Sequence, residues 1–359
     1  MSEKNKSSYL INIFIVLISI SITFIIIEAG TRIYYSQPLF SFIDYRENTL
    51  NLYKSGLPIK FHETLGWIPQ PGYSSNNNMW GTDVTILKDG IRSNENHLKL
   101  ESSHSVLAVG DSFTFGDEVS NNETWPAILE RLIKRPVLNA GVFAYGTDQS
   151  FLRLKLLLAK YKPDTIIFSF IRNDIRRCEY SKCHGFNKPY FVIANNYLNL
   201  MNIPVRQVTI KPRTIIKIFG YSYFFHNTMI RLNPAWWLLA DNEEDERNEN
   251  HTGSGMEITC LIFRELENIV KVNKINHAYI LVQDTNFQNY VSPDTEIDYV
   301  LTCLNKKTFK VIDLRKKLLD LKTNNGFLYN SFFKIRHMTA TGNQFVAETV
   351  FHSMQVNTN

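Results

Sequence analysis

Between Val106 and Ser353 short apolar runs alternate with stretches of helical periodicity, and this alternation limits the possible fold more than any other feature of the chain. The runs Val106–Val109, Val137–Asn139, Thr165–Phe170, 278–282 and 310–314 read as strands. Residues 124–134, 148–160, 256–272, 295–304 and 340–353 read as helices, with Pro126 in a first turn where its missing N–H is harmless. Strands that are apolar at successive positions are covered on both faces, and strands separated by helices pair in parallel. The expected fold class is therefore α/β, a three-layer α/β/α sandwich with a mostly parallel, flavodoxin-like sheet.

Ahead of this pattern, residues 9–27 read YLINIFIVLISISITFIII without a charge. At ~1.5 Å rise per residue the segment nearly spans a ~30 Å hydrocarbon layer, and it runs into Glu28-Ala29-Gly30 with no A-x-A-like cleavage site. An uncleaved signal anchor is expected. Lys4 and Lys6 precede it and Arg32 follows, which places the N-terminus in the cytoplasm and the rest of the chain outside, in the periplasm of a bacterium. The expected division is residues 1–8 cytoplasmic, 9–27 transmembrane, 28–101 a juxtamembrane and small strand-containing region, and 102–359 the α/β domain. An insertion at about 176–255 carries Tyr- and Phe-rich pieces, Trp236-Trp237 and the acidic run 241–246, which reads as a solvated loop. The aromatic part fits ordinary packing better than a substrate cleft.

Thirty-nine basic against thirty-four acidic residues leave a net charge of +5, too small an excess to imply nucleic acid without a patch or motif, and neither is present. The cysteines Cys178, Cys183, Cys260 and Cys303 lack paired zinc spacing, so no metal is expected. Outside the cytoplasm a small bridge between Cys178 and Cys183 is open to the chain, but free thiols are the favoured reading, with Cys260 and Cys303 as apolar helix positions.

Chemistry-bearing residues fall at strand ends. In VLAVGDSFTFG, Ser112 follows the first strand and a Gly-Asp turn, a position that faces the cleft in an open α/β sheet. Alone, Gly-Asp-Ser is equally a turn and helix cap. Three further segments stand in order: 139–149 (NAGVFAYGTDQ), Ile171-Arg172-Asn173-Asp174, and His337-Met338-Thr339-Ala340-Thr341-Gly342 before the last helix.

This set resembles the four blocks of the SGNH/GDSL hydrolase family over about residues 105–351. The resemblance implies Ser112 as nucleophile and His337 as general base. It implies an oxyanion hole from the backbone N–H of Ser112, the N–H at Ala144 (or Gly146 if the loop is shifted) and the Asn173 side chain, with Asp111 shaping the turn that presents Ser112. Two positions depart from the family's glycines, Ala144 and Ile171. Ala144 matters if the backbone there needs φ > 0. The family's aspartate three residues before the histidine is replaced by Lys334, with Ile335 and Arg336 between, so no local carboxylate orients His337. If they face the site, Lys334 and Arg336 would keep His337 neutral by like-charge repulsion, or bind an anionic substrate.

The expected activity is serine ester hydrolysis through an acyl-enzyme, removing O-acyl groups from an envelope or surface glycan, with no metal or diffusible cofactor. The alternatives are an O-acyltransferase using the same chemistry, a catalytically weak glycan-binding or assembly module, and a lipase. The partners implied are the ester substrate and, through residues 9–27, a membrane; no protein partner is legible.

Overall fold

The computed structural model describes residues 3–46, 58–77, 81–95, 104–184, 186–207, 214–233, 237, 254–284, 295–334 and 337–355. These form two compact units, one of residues 1–55 with 209–243 and one of residues 56–208 with 244–359. Residues 58–95 thus belong to the larger unit, not to a juxtamembrane one, and the segment at 176–255 is shared between the two.

The larger unit is built on a five-stranded parallel sheet. Its strands run, in spatial order, Phe309–Asp313, His277–Val282, Thr165–Phe170, Val106–Val109 and Val137–Asn139. The expected α/β class is the observed one. Alternate side chains enter opposite layers: Leu107, Val109, Ile166, Phe168, Ile280 and Val282 pack toward the helices Thr147–Tyr161 and Gly255–Val272. Val106, Ala108, Ile167, Tyr279 and Leu281 pack toward Trp125–Ile133 and Ala340–Gln355. The chain leaves Val106–Val109 for the neighbour on one side, Val137–Asn139, and returns to the neighbour on the other, Thr165–Phe170. That reversal opens a crevice beyond the carboxyl end of Val106–Val109, where ligands bind in sheets of this order.

Residues 58–95 add a hairpin, Ile59–His62 with Gly66–Pro69, and a short pair, Ser74–Ser75 with Val84–Thr85. Arg92 continues the sheet edge by a single bridge to Asn139, its N–H donating to the Asn139 carbonyl at 2.9 Å.

The disulfide joins the pair that reads in sequence as apolar helix positions. Cys260 and Cys303 are bonded, and Cys178 and Cys183 are buried thiols outside any disulfide. Helices Gly255–Val272 and Thr295–Thr302 bring the first two Cα atoms to 5.3 Å, inside the range a bridge needs. The other two thiols face different partners: Cys178 Sγ lies 2.9 Å from Thr147 Oγ1, and Cys183 Sγ points at the Ala144 carbonyl. Closing a loop of 43 residues stabilises the fold by about 4 kcal/mol in the chain-entropy account.

In the smaller unit, helix Glu3–Tyr34 is long and apolar enough over Ile11–Tyr34 to cross a membrane, and Ile11–Ile20 are exposed along it. At its far end Glu28 accepts from Ser222 Oγ and from the N–H groups of Tyr223 and Phe224, capping helix Tyr223–Leu232. Trp237 is fully buried in this unit, its indole donating to His226 at 3.0 Å, so it packs rather than lining a cleft. Trp236 and the acidic run 241–246 lie outside the described residues.

Candidate active site

The strand Val106–Val109 delivers Gly110 and Asp111 into a tight turn, and Ser112 opens the short helix Ser112–Phe115. A β-carbon at Gly110 would overlap Thr114 Oγ1 and crowd the Ser169 carbonyl, so the turn closes only with glycine there. Asp111 is fully buried and accepts from the Phe113 N–H at 3.0 Å, fixing the helix start. Burial pushes its carboxyl up, opposed by Arg177, whose Nη1 lies 3.9 Å away.

His337 reaches this turn from 225 residues further along the chain. The Lys334 N–H donates to the His337 carbonyl at 3.0 Å, and the last helix follows from Ala340. His337 Nε2 is 2.9 Å from Ser112 Oγ, and its ring packs against Phe113 at 5.3 Å between centroids. Lys334 is exposed; Ile335 and Arg336 lie outside the described residues.

The carboxylate absent from position 334 comes from another part of the chain. Glu118 Oε1 is 3.2 Å from His337 Nδ1, and the two side chains are 11% and 18% exposed. With Glu118 accepting from Nδ1–H, Nε2 carries the lone pair and accepts the Ser112 hydroxyl proton. Glu118 sits at φ +70, in the left-handed region, just after Gly116 at φ +89. Sequence reasoning missed it because it sought the acid beside the histidine. The available signal was Asp117-Glu118, two adjacent carboxylates five and six residues beyond Ser112.

The neighbouring Asp117 places Oδ2 3.9 Å from His337 Nε2, and its buried Oδ1 has no hydrogen-bond partner among the described residues. Burial pushes this carboxyl up to about 7, against the attraction of His337 and Arg92. An acid whose pKa rises on folding binds protons more tightly in the folded chain. Its stabilising contribution is complete below about pH 4 and is lost as pH climbs through 7. Asp117→Asn is therefore expected to gain stability over the parent at pH 8, on the order of 2–4 kcal/mol, and almost nothing at pH 4. Urea unfolding at the two pH values measures this, and a difference that does not change with pH would contradict the assignment.

The loop after Val137–Asn139 supplies the candidate oxyanion donors. Ala144 stands at φ +61, the strained case for a residue with a β-carbon, and its N–H donates to no described acceptor. The Ser112 N–H, at the first turn of its helix, is likewise uncommitted. Gly146 instead caps helix Thr147–Tyr161, and a β-carbon there would meet Asp148, Arg177 and the Asp174 carbonyl. Asn173 is exposed on helix Arg172–Arg177 and its side chain makes no hydrogen bond among the described residues. Asp174 fixes that helix start by accepting from the Ile171 N–H at 3.0 Å. Among the described residues no group of three or more His, Cys, Asp and Glu side chains could hold a metal ion.

No protein-family model matches the chain, and no curated protein matches it. Among solved structures it is similar to a member of the lipolytic protein G-D-S-L family from Veillonella parvula, at 13% identity and a TM-score of 0.37, over 71% of this chain and 99% of that one. It is similar to a catalytic mutant of an acetylxylan esterase from Geobacillus stearothermophilus, at 12% identity and a TM-score of 0.38, over 72% and 96%. An alpha/beta hydrolase enzyme from the metagenome of Lake Arreo gives 10% identity and a TM-score of 0.40, over 72% and 98%.

Proposed function

We propose that this chain is a serine ester hydrolase of the SGNH/GDSL type, and the observation that carries the reading is the relay Ser112 Oγ, His337 Nε2, His337 Nδ1, Glu118 Oε1 at the crevice of the sheet. Ser112 Oγ attacks the acyl carbonyl as its proton passes to His337 Nε2. The oxyanion is held by the N–H groups of Ser112 and Ala144 and by the Asn173 amide; loss of one such donor costs ~10²–10³ in turnover. His337 returns the proton to the leaving alkoxide, and the acyl-enzyme is then cleaved by water activated at the same nitrogen. Glu118 keeps the imidazole in the tautomer with Nδ1 protonated and balances the imidazolium that forms.

Residues 9–27 serve as a single membrane span with the N-terminus inside, and the larger unit, residues 56–208 with 244–359, acts outside the cytoplasm. An ester on an envelope or surface glycan, an O-acetyl group above all, is the substrate class this placement favours. Support comes from the uncharged length of the segment and the lysines before it, together with the disulfide, which persists in an oxidising compartment.

The test is fluorophosphonate labelling of the full chain in detergent, with peptide mass spectrometry to locate the adduct. Label on Ser112 that is lost in His337→Ala supports an activated serine. A folded chain that takes no label at neutral and alkaline pH would overturn the reading in favour of a glycan-binding module.

A further inference from the structure

Both loops that bring functional atoms to the site hold a non-glycine residue in the left-handed region, Ala144 at φ +61 and Glu118 at φ +70. Such a conformation is disfavoured for a residue with a β-carbon and persists only where the surroundings over-determine it. In each loop a backbone carbonyl beside the strained residue accepts from a buried side chain of residues 58–95, outside the alternating strand and helix pattern: one carbonyl next to Ala144 and several around Glu118.

Around Ala144, the Trp67 indole N–H donates to the Phe143 carbonyl at 3.1 Å, and the Tyr145 hydroxyl donates back to the Trp67 carbonyl. The Trp67 and Tyr145 rings pack edge to face at 5.5 Å, with Trp67 1% and Tyr145 0% exposed. Around Glu118, the Arg92 guanidinium donates to the carbonyls of Phe115 at 2.9 Å, Gly116 at 2.5 Å and Val119 at 2.6 Å. It also reaches the Asp83 carbonyl and Asn121 Oδ1, both at 3.2 Å, and is itself 1% exposed. A planar fork of five N–H groups can collect this many acceptors; a lysine ammonium with three cannot.

We infer that residues 58–95 are a positioning part of the active site: Trp67 sets the Ala144 N–H through the Phe143 carbonyl, and Arg92 sets Glu118 through the carbonyls on either side of it. Neither side chain touches the reacting atoms. The inference rests on the esterase reading above.

Its test uses the full chain with 4-nitrophenyl acetate as probe, together with the rate of phosphonylation by a fluorophosphonate. Trp67→Phe keeps the ring and removes the N–H. It is expected to lower kcat and the phosphonylation rate about tenfold, with KM within about twofold, because a displaced oxyanion donor acts on the transition state and not on ground-state binding. Arg92→Lys is expected to lower kcat at least tenfold in the parent and less than threefold in a Glu118→Gln background, since a residue acting through Glu118 has nothing left to position once the carboxylate is gone. Trp67→Phe should cost the same factor in both backgrounds. A folded Trp67→Phe with parental kcat, or an Arg92→Lys cost that multiplies fully with that of Glu118→Gln, overturns the inference and leaves the esterase reading standing. A parent chain that takes no label at Ser112 defeats that reading itself. Should Arg92→Lys fail to fold, the Trp67→Phe arm decides alone.

Discussion

Ser112→Ala and His337→Ala are each expected to lower kcat for a simple acetyl ester by on the order of 10⁴–10⁶, and the double variant by no more than either alone. The two side chains work as one unit: the 2.9 Å contact between Oγ and Nε2 transfers a single proton, so removing either end removes the whole transfer. Steady-state turnover of 4-nitrophenyl acetate measures the loss, with intrinsic fluorescence and circular dichroism to show that each variant is folded. Ser112 is 7% exposed and heads a four-residue helix, so a hydroxyl deletion there leaves the surrounding packing in place. A Ser112→Ala chain that keeps a tenth of the parent's turnover would refute the assignment of the nucleophile.

The second large effect is expected at Glu118. Glu118→Gln preserves size but presents an amide that donates to Nδ1, which drives the imidazole into the tautomer with Nε2 protonated, unable to accept from Ser112. A fall in kcat of about 10²–10⁴ follows, with KM little changed. Glu118→Asp, one methylene shorter, should recover part of it. Lys334→Ala is the informative contrast. That side chain is exposed, and its loss is expected to change kcat less than threefold. A large loss at Lys334 with none at Glu118 would mean that the histidine is oriented from its own segment.

The two experiments bear on a physical question, how an imidazole keeps its orientation when the adjacent carboxylate is missing. The residue three positions before His337, Lys334, carries no carboxylate and its side chain is exposed. The orienting carboxylate must then come from a loop already at the site. The loop after Ser112 is that close, and it delivers Glu118 by accepting a left-handed backbone held by Arg92. Asp117, one residue earlier, is drawn into the same buried space, and its raised pKa records what that burial costs.

Much of the larger unit was legible in sequence because its determinants are local. A strand covered on both faces must be apolar at successive positions, and the helix between two such strands must present one apolar stripe, so periodicity alone located Val106–Val109, Val137–Asn139 and Thr165–Phe170. Ser112 and His337 could be singled out for a related reason: each stands beside a strand end or helix start, and the order of those ends follows from the fold. What the chain could not disclose are pairings between distant segments. Glu118 meets His337 across 219 residues, Trp67 meets Phe143 across 76, and Cys260 rather than Cys178 lies opposite a second thiol. None of these leaves a periodic trace, because each depends on which loops the packed sheet brings together and on which carbonyls remain for a buried N–H to satisfy. The sequence by itself thus determined the layers and the place of Ser112 at a strand end, whereas the carboxylate beside His337, the strain at Ala144 and the place of residues 58–95 were decided only when the tertiary structure closed around them.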